Sequence, residues 1–224
     1  MGNYNIFKAL KLERKETIHS AMIVAIASHD SHSREGFFEM LKKKAFGEEI
    51  KLLIDSIKFE DKSEGKWIDT EVDLKETVNR NGKQVSVDRG RADIWIGTNN
   101  KDAKTQYRLI IENKIDAGFQ YRQLRKYYRY LTDENSRKIA GLFVLCVKDD
   151  EEFMDKAAEA AKEFNSESKT YDDKDKYTKY AIVTYKDIIT WLEDVIKETE
   201  EGDFKTAVKQ YKEIIMGFYP ETKK

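Results

Sequence analysis

The stretch RLIIENKIDAG, residues 108–118, sets three consecutive apolar residues directly against Glu112, Asn113 and Lys114. A short apolar run suits a buried strand, whereas a carboxylate, an amide and an ammonium are rarely buried without partners. Side chains alternate along a strand, so Glu112 and Lys114 share one face and Asn113 points to the other. The stretch therefore predicts a buried strand that ends in a charged pair on one side of a sheet.

The two segments before this strand have the period of a β-hairpin. Residues 67–78 and 84–97 alternate with a period of two, and Asn81-Gly82 between them offers the positive φ angles of a tight turn. The polar segment 98–104 separates the second of these strands from the third. The pattern predicts an antiparallel meander of three strands.

Helical patterns flank the meander in the sequence. Ser33 is a candidate N-cap for the second helix, which is expected to stop at Gly47. Helices are predicted over 16–30, 33–47, 48–59, 119–134, 186–198 and 203–219, strands over 139–147 and 180–185, and an acidic helix with a loop over 149–175. The fold class that follows is mixed α/β (α+β), a mixed central sheet flanked by helices, with extra helices towards the C-terminus.

The composition excludes several classes of protein. With 41 basic and 42 acidic residues, the formal net charge is -1, so any site for a polyanion must be local. The single cysteine, Cys146, excludes an internal disulfide framework and fits a reducing compartment. No apolar run approaches the roughly 20 residues that span a bilayer, and the first residues have no leader pattern. We expect one unprocessed, soluble, cytoplasmic domain.

A second acidic residue is predicted to face Glu112. Pairing Asp93 with Glu112 places the turn between their strands near Asp102, inside the polar segment where a turn is needed. Directly opposed residues have Cβ atoms about 5 Å apart and share a face, and two carboxylates make a hard-ligand site suited to Mg²⁺. Lys114 would then hold and polarise a water that attacks phosphorus. The alternative is a salt cluster at the rim of the sheet, worth about 0–1 kcal/mol.

Three segments together resemble the PD-(D/E)XK nucleases, which have the restriction-endonuclease-like fold. They are RADIWI (91–96), IIENKI (110–115) and QLRKYY (123–128), and they match the bacterial group that reads RxDI, IIENKI and QLxxY. The segment from 16 to 41 is similar to the N-terminus of that group, with a Glu, a His-Ser, an apolar helix, a His and an aromatic-rich helix. The resemblance covers about 16–147 of a single domain over 1–224, and 148–224 is then a C-terminal helical extension.

The resemblance implies a metal-dependent nuclease that hydrolyses phosphodiester bonds of nucleic acid, with DNA as the expected substrate and Mg²⁺ or Mn²⁺ as the cofactor. A homodimer would supply two sites for cutting both strands, although no segment specifies an interface. Ala92 stands where the superfamily's name has proline, which removes no reacting group. The implied roles are metal ligation by Asp93, Glu112 and the first-helix residue Glu16, catalysis by Lys114, and lining of the site by Gln123 and Tyr127.

Other candidate residues keep two interpretations. His29 and His32 with Asp30 could form a metal site, but residues of this type in a polar loop are more often solvated or cap the next helix. Glu71 and Asp73 either form the polar face of the first strand or extend the acidic site. Only coordinates separate these interpretations.

The helix over 119–134 mixes basic residues with tyrosines, which suits contacts to phosphates and bases as well as core packing under Arg and Lys stems. Cys146 and the three tryptophans, Trp67, Trp95 and Trp191, are expected to be packing residues. The alternative function is a catalytically inactive module on the same fold that binds nucleic acid or protein. A weaker alternative is a structural interaction protein with 149–175 as its partner surface.

Overall fold

The computed structural model describes residues 5–45, 51, 54, 68–80, 82–97, 106–131, 138–161, 164–165, 170–171 and 180–219. The helices are α1 (Ile6–Ala9), α2 (Glu16–Ala27), α3 (Ser31–Lys44), α4 (Gln123–Leu131), α5 (Glu151–Ala161), α6 (Tyr185–Glu198) and α7 (Asp203–Met216). The strands are β1 (Ile68–Arg80), β2 (Lys83–Gly97), β3 (Gln106–Lys114), β4 (Lys138–Cys146), β5 (Phe164–Asn165), β6 (Thr170–Tyr171) and β7 (Ala181–Thr184).

A five-stranded mixed sheet forms the centre of the fold, in the order β1-β2-β3-β4-β7. β1, β2 and β3 pair antiparallel, whereas β4 is parallel to β3 and to β7. β5 and β6 pair separately. The α/β fold class and the antiparallel meander of three strands are confirmed, and β3 lies in the middle of the sheet.

Alternation along β3 sends its side chains into two different cores. Leu109 and Ile111 pack in a large core that also contains residues of α2, α3, α6 and α7. Ile110 packs in a second core with residues of α4 and α5. Each fully buried side chain of this size contributes about 1.5–3 kcal/mol, so helices on both faces hold the central strand in place.

The segment that the sequence sets apart as an extension adds to this architecture. β7 is the edge strand of the sheet, next to β4. Trp191 and Leu192 of α6 and Val208 of α7 belong to the same buried core as Phe37 of α3. The C-terminal helices therefore cover one face of the sheet.

Several predicted boundaries differ from the structure. Ser33 is not the N-cap of α3, because the Asp30 side chain lies at that position and accepts a hydrogen bond from the backbone N–H of Ser33 at 2.7 Å. The helix ends at Lys44, and Gly47 lies outside the described residues. The helix predicted over 48–59 is described only at positions 51 and 54, which are helical.

Half of the predicted β1–β2 turn is described, because Gly82 lies within the described residues and Asn81 does not. Gly82 adopts a φ of 78°, which a side chain would disfavour. The next predicted turn, 98–104, lies outside the described residues. Within the part of the chain that the structure describes, no helix has both the length and the apolarity that crossing a membrane requires.

Candidate active site

Asp93 and Glu112 face each other across two neighbouring strands. The β2–β3 ladder pairs Ile94 with Ile111, and one further step along it sets Asp93 against Glu112, the register that the sequence predicts. The Oδ2 atom of Asp93 also accepts a hydrogen bond from the backbone N–H of Asn113 at 2.7 Å. The backbone of β3 therefore holds the Asp93 carboxylate at the end of the strand that carries Glu112.

Glu112 is almost completely enclosed, with 1% of its surface exposed. Its Oε1 atom accepts hydrogen bonds from Lys114 Nζ at 2.6 Å and from Gln123 Nε2 at 2.7 Å. Its Oε2 atom is buried and has no hydrogen-bond partner within the described residues. Because a buried unsatisfied carboxylate oxygen is costly, this atom is suited to a ligand that the protein itself does not supply.

Both carboxyls of the acidic pair have raised pKa values. Burial raises the pKa of Asp93 to about 8, and the negative charge of Glu112 adds to the effect. Burial also raises the pKa of Glu112, against the lowering effect of the Lys114 ammonium. Two acids that share a dry site cannot both ionise easily. A cation between them would remove this penalty, so the residues fit a metal ion that prefers oxygen ligands.

Gln123 and Tyr127 lie four residues apart on α4 and reach the site from the same side of that helix. The second Gln123 Nε2 hydrogen points to Tyr127 Oη at 3.0 Å, and Tyr127 Oη donates to the carbonyl of Arg91 at 2.6 Å. Gln123 Oε1 accepts from the backbone N–H of Gln120 at 3.2 Å. The pair thus ties α4 to β2 and orients the Glu112 carboxylate.

Asn113 points to the opposite face of the sheet from Glu112 and Lys114, as the alternation predicts, and is fully buried. Its Nδ2 atom donates to the Glu16 carbonyl at 3.1 Å and to Ser20 Oγ at 3.2 Å, and its Oδ1 atom accepts from Tyr185 Oη at 2.9 Å. These bonds fix α2 and α6 to β3. Sequence reasoning placed Asn113 on the other face but missed this anchoring role, because the partners lie 72 to 97 positions away.

Glu16 is the first residue of α2, and its carboxylate contacts backbone N–H groups rather than Asp93 and Glu112. The Oε1 atom accepts from the N–H of Ile115 at 2.7 Å and from that of Ala117 at 3.4 Å. Across the described residues, no three His, Cys, Asp or Glu side chains are grouped so as to hold one metal ion. Glu16 therefore orders the chain just after Lys114, and its role as a metal ligand stays a prediction.

The other histidine and acidic candidates lie in different surroundings. His29 stacks on Phe204 with ring centroids 3.5 Å apart, and Asp30 caps α3, so these groups have structural partners. Glu71 is partly buried and forms an ion pair with Arg91 at 2.9 Å. Asp73, two residues along the same strand, is exposed beside Lys75.

The remaining candidates divide between packing and surface. Burial raises the pKa of the Cys146 thiol to about 12, so it stays neutral in the core. Trp95 and Trp191 are buried, and Trp67 lies outside the described residues. On α4, Leu124 and Leu131 are buried with Tyr127, while Arg125 lies over the ring of Tyr128. Just before the helix, Arg122 lies over the ring of Tyr121. The helix therefore packs with one side and presents a basic, aromatic surface on the other.

Comparison with known families gives one match, which agrees with this architecture. The PD-(D/E)XK nuclease superfamily matches residues 4–213, nearly the whole chain. The protein belongs to this superfamily, whose members are nucleases that generally use divalent metal ions. Neither the curated proteins nor the solved structures compared with the chain contain a match.

Proposed function

We propose that the protein is a Mg²⁺- or Mn²⁺-dependent nuclease in which Asp93 and Glu112 hold the ion and Lys114 positions the attacking water. The observation that carries the proposal is the buried Oε2 atom of Glu112, which lies beside the Asp93 carboxylate and has no hydrogen-bond partner among the residues that the structure describes. Superfamily membership over residues 4–213 supports the same reaction class, phosphodiester hydrolysis.

The donor set favours a hard divalent ion. Two carboxylates, with no thiolate or imidazole grouped with them in the described part of the chain, suit Mg²⁺ or Mn²⁺, which accept oxygen ligands and retain several waters. When bound, such an ion would neutralise the charge that develops on the phosphoryl oxygens. The buried position of Glu112 strengthens this interaction, because the site has a lower dielectric constant than water.

Lys114 is held where it can act on a water molecule. Its side chain is 8% exposed, and its ammonium group contacts Glu112 Oε1 at 2.6 Å. An ammonium has three N–H donors, so one can keep the Glu112 contact while another holds and polarises a water for attack on phosphorus. Gln123 donates to the same Glu112 oxygen and acts as a positioning residue, together with Tyr127.

A cleft next to Lys114 gives the substrate a place. It has a volume of about 550 Å³, and its walls include Phe119, Phe153 and Lys148, together with the carboxylates of Asp116 and Asp150 and the Glu152–Lys156 ion pair. Aromatic rings and ammonium groups are the side chains that contact bases and phosphates of nucleic acid. We propose nucleic acid, in particular DNA, as the substrate, and a homodimer as the form that would cut both strands.

We also propose that residues 1–224 act as one domain. Phe7 of α1, Ile94 of β2 and Phe218, which follows α7, belong to one buried core. Such shared packing makes independent folding of the proposed C-terminal extension, 148–224, unfavourable.

The test compares purified wild-type protein with Lys114→Ala on linear, circular, single-stranded, branched and RNA substrates with Mn²⁺. Cleavage by the wild type and its loss in Lys114→Ala, with unchanged circular dichroism, are expected. Lys197→Ala is the matched control, because that side chain is 80% exposed on α6. Absence of cleavage of every substrate by the wild type would contradict the proposal, and nucleic-acid binding without cleavage would favour the inactive binding module.

A further inference from the structure

A third acidic residue lies in the same row of the sheet as the two proposed ligands. The β1–β2 ladder pairs Thr70 with Ile94 and Val72 with Ala92, so the position between them sets Glu71 opposite Asp93. Asp93 in turn lies opposite Glu112, one step beyond the Ile94–Ile111 pair of the next ladder. The three carboxylates therefore come from three consecutive antiparallel strands at one level of the sheet.

Glu71 has an unusual local environment for a strand residue. Its backbone φ is 55°, in the left-handed region that residues other than Gly and Asn rarely adopt. Its side chain is 30% exposed, and its Oε2 atom pairs with Arg91 Nε at 2.9 Å. Its Oε1 atom is buried and meets no hydrogen-bond donor among the described residues.

One acidic row thus contains two buried carboxylate oxygens, Glu71 Oε1 and Glu112 Oε2, that have no hydrogen-bond partner within the described ranges. The Glu112 side chain is only 2% exposed, so the protein encloses the row at this residue, whereas at Glu71 the row is partly open to solvent.

We propose that Glu71 is a third acidic residue of the metal site and accepts hydrogen bonds from the water shell of an ion held by Asp93 and Glu112. The inference rests on the proposed function and adds a residue to it. Mg²⁺ and Mn²⁺ keep several waters in sites with few protein ligands, and second-shell carboxylates orient such shells. Indirect contact agrees with the lack, within the described residues, of a group of three direct ligands.

In the protein without bound metal, Glu71 forms an ion pair with Arg91. The Arg91 side chain is 61% exposed, so the ion pair itself adds little stability. If Glu71 served only this pair, loss of either partner would have the same effect. If Glu71 acts on the ion, Arg91 competes with the ion for the carboxylate, and the two substitutions must change metal affinity in opposite directions.

Isothermal titration with Mn²⁺ alone, near neutral pH, tests this prediction. Glu71→Gln is expected to raise the Kd for Mn²⁺ by roughly 10-fold or more, the usual effect of losing a second-shell partner. Arg91→Met is expected to lower the Kd. Asp73→Asn is the matched control, since Asp73 lies on the same strand but is 64% exposed and forms an ion pair with Lys75. The Kd of this variant for Mn²⁺ should equal that of the wild type.

The outcomes separate the two proposals. Unchanged Mn²⁺ affinity in Glu71→Gln, with wild-type binding that disappears in Asp93→Asn, would overturn the role of Glu71 and leave the nuclease site standing. Weaker binding in both Glu71→Gln and Arg91→Met would also overturn it, because the ion pair would then be the relevant element. Wild-type protein that binds no Mn²⁺ would overturn both proposals. Thermal unfolding in EDTA confirms that each variant is folded.

Discussion

Replacing Asp93 with asparagine should stabilise the metal-free protein while destroying its response to metal. Burial and the negative charge of Glu112 raise the pKa of Asp93 from its ordinary value of 3.8 to about 8. Asparagine keeps an oxygen that can accept the hydrogen bond that Asn113 N–H now donates to Asp93, but it has no charge to bury. Asp93 is proposed to be essential for activity, yet it is expected to lower the stability of the protein when no metal ion is bound.

The size of the stability gain in Asp93→Asn, and its dependence on pH, follow from the raised pKa of Asp93. The interval from 3.8 to about 8 corresponds to an upper limit of about 6 kcal/mol, at about 1.4 kcal/mol for each pH unit. Below about pH 4 the carboxyl is protonated in both states, so wild type and variant differ little. As the pH rises towards 8, the unfolded wild-type chain releases a proton that the folded protein keeps, and wild-type stability falls relative to that of Asp93→Asn.

Thermal unfolding in EDTA at about pH 5 and about pH 8.5 measures this difference, which should grow as the pH rises. A gain of at least about 1 kcal/mol at the higher pH would raise Tm by roughly 2–4 °C for a chain of this size. Mn²⁺ should raise the Tm of the wild type and leave that of the variant unchanged. A variant that is less stable than wild type in EDTA at the higher pH would refute the idea of a strained, buried acid pair.

Tyr127→Phe should lower the free energy of unfolding by about 1–3 kcal/mol in urea titrations, because the Arg91 carbonyl loses its 2.6 Å donor. Asn113→Ala should cost about 2–4 kcal/mol in the same assay, since the Tyr185 hydroxyl loses its acceptor inside the core. Burial lowers the pKa of His19, so wild-type stability should fall as the pH drops below about 6.5. His19→Gln should lack this component of the acid response, and equal pH slopes for wild type and variant would argue against it.

Local patterns were sufficient to predict the meander. The alternation over 67–78 and 84–97 and the Asn81-Gly82 turn are short-range signals, and the resulting pairing of strands agrees with the structure. The proximity of Asp93 and Glu112 followed from the same register, because opposed residues in an antiparallel pair share a face. The short-range pattern of the sequence therefore explains why the apolar strand β3 ends in charged residues, since Glu112 lies opposite Asp93 on the neighbouring strand.

The features that the sequence did not predict depend on packing between residues that lie far apart in the chain. The sequence separates residues 148–224 from the core, yet Tyr185 of this region donates to Asn113 and α6 covers the sheet. The unpartnered oxygen of Glu112 and the ion pair of Glu71 with Arg91 depend on how neighbouring strands and α4 enclose each other. Residue type and spacing contain no signal for such enclosure, so Glu71 remained one of two alternatives with Asp73.

The alternating orientation of Glu112, Asn113 and Lys114 limits how this gene can change. Deleting one codon within β3 upstream of Glu112 would exchange the two faces, moving the amide into the cleft and both ionisable groups into a hydrophobic layer. Substitutions can be sampled one at a time, whereas a change in strand length would abolish catalysis and folding together. Natural variation in length should therefore collect in the connections between strands, and a deletion library selected only for solubility should show the same avoidance of β3.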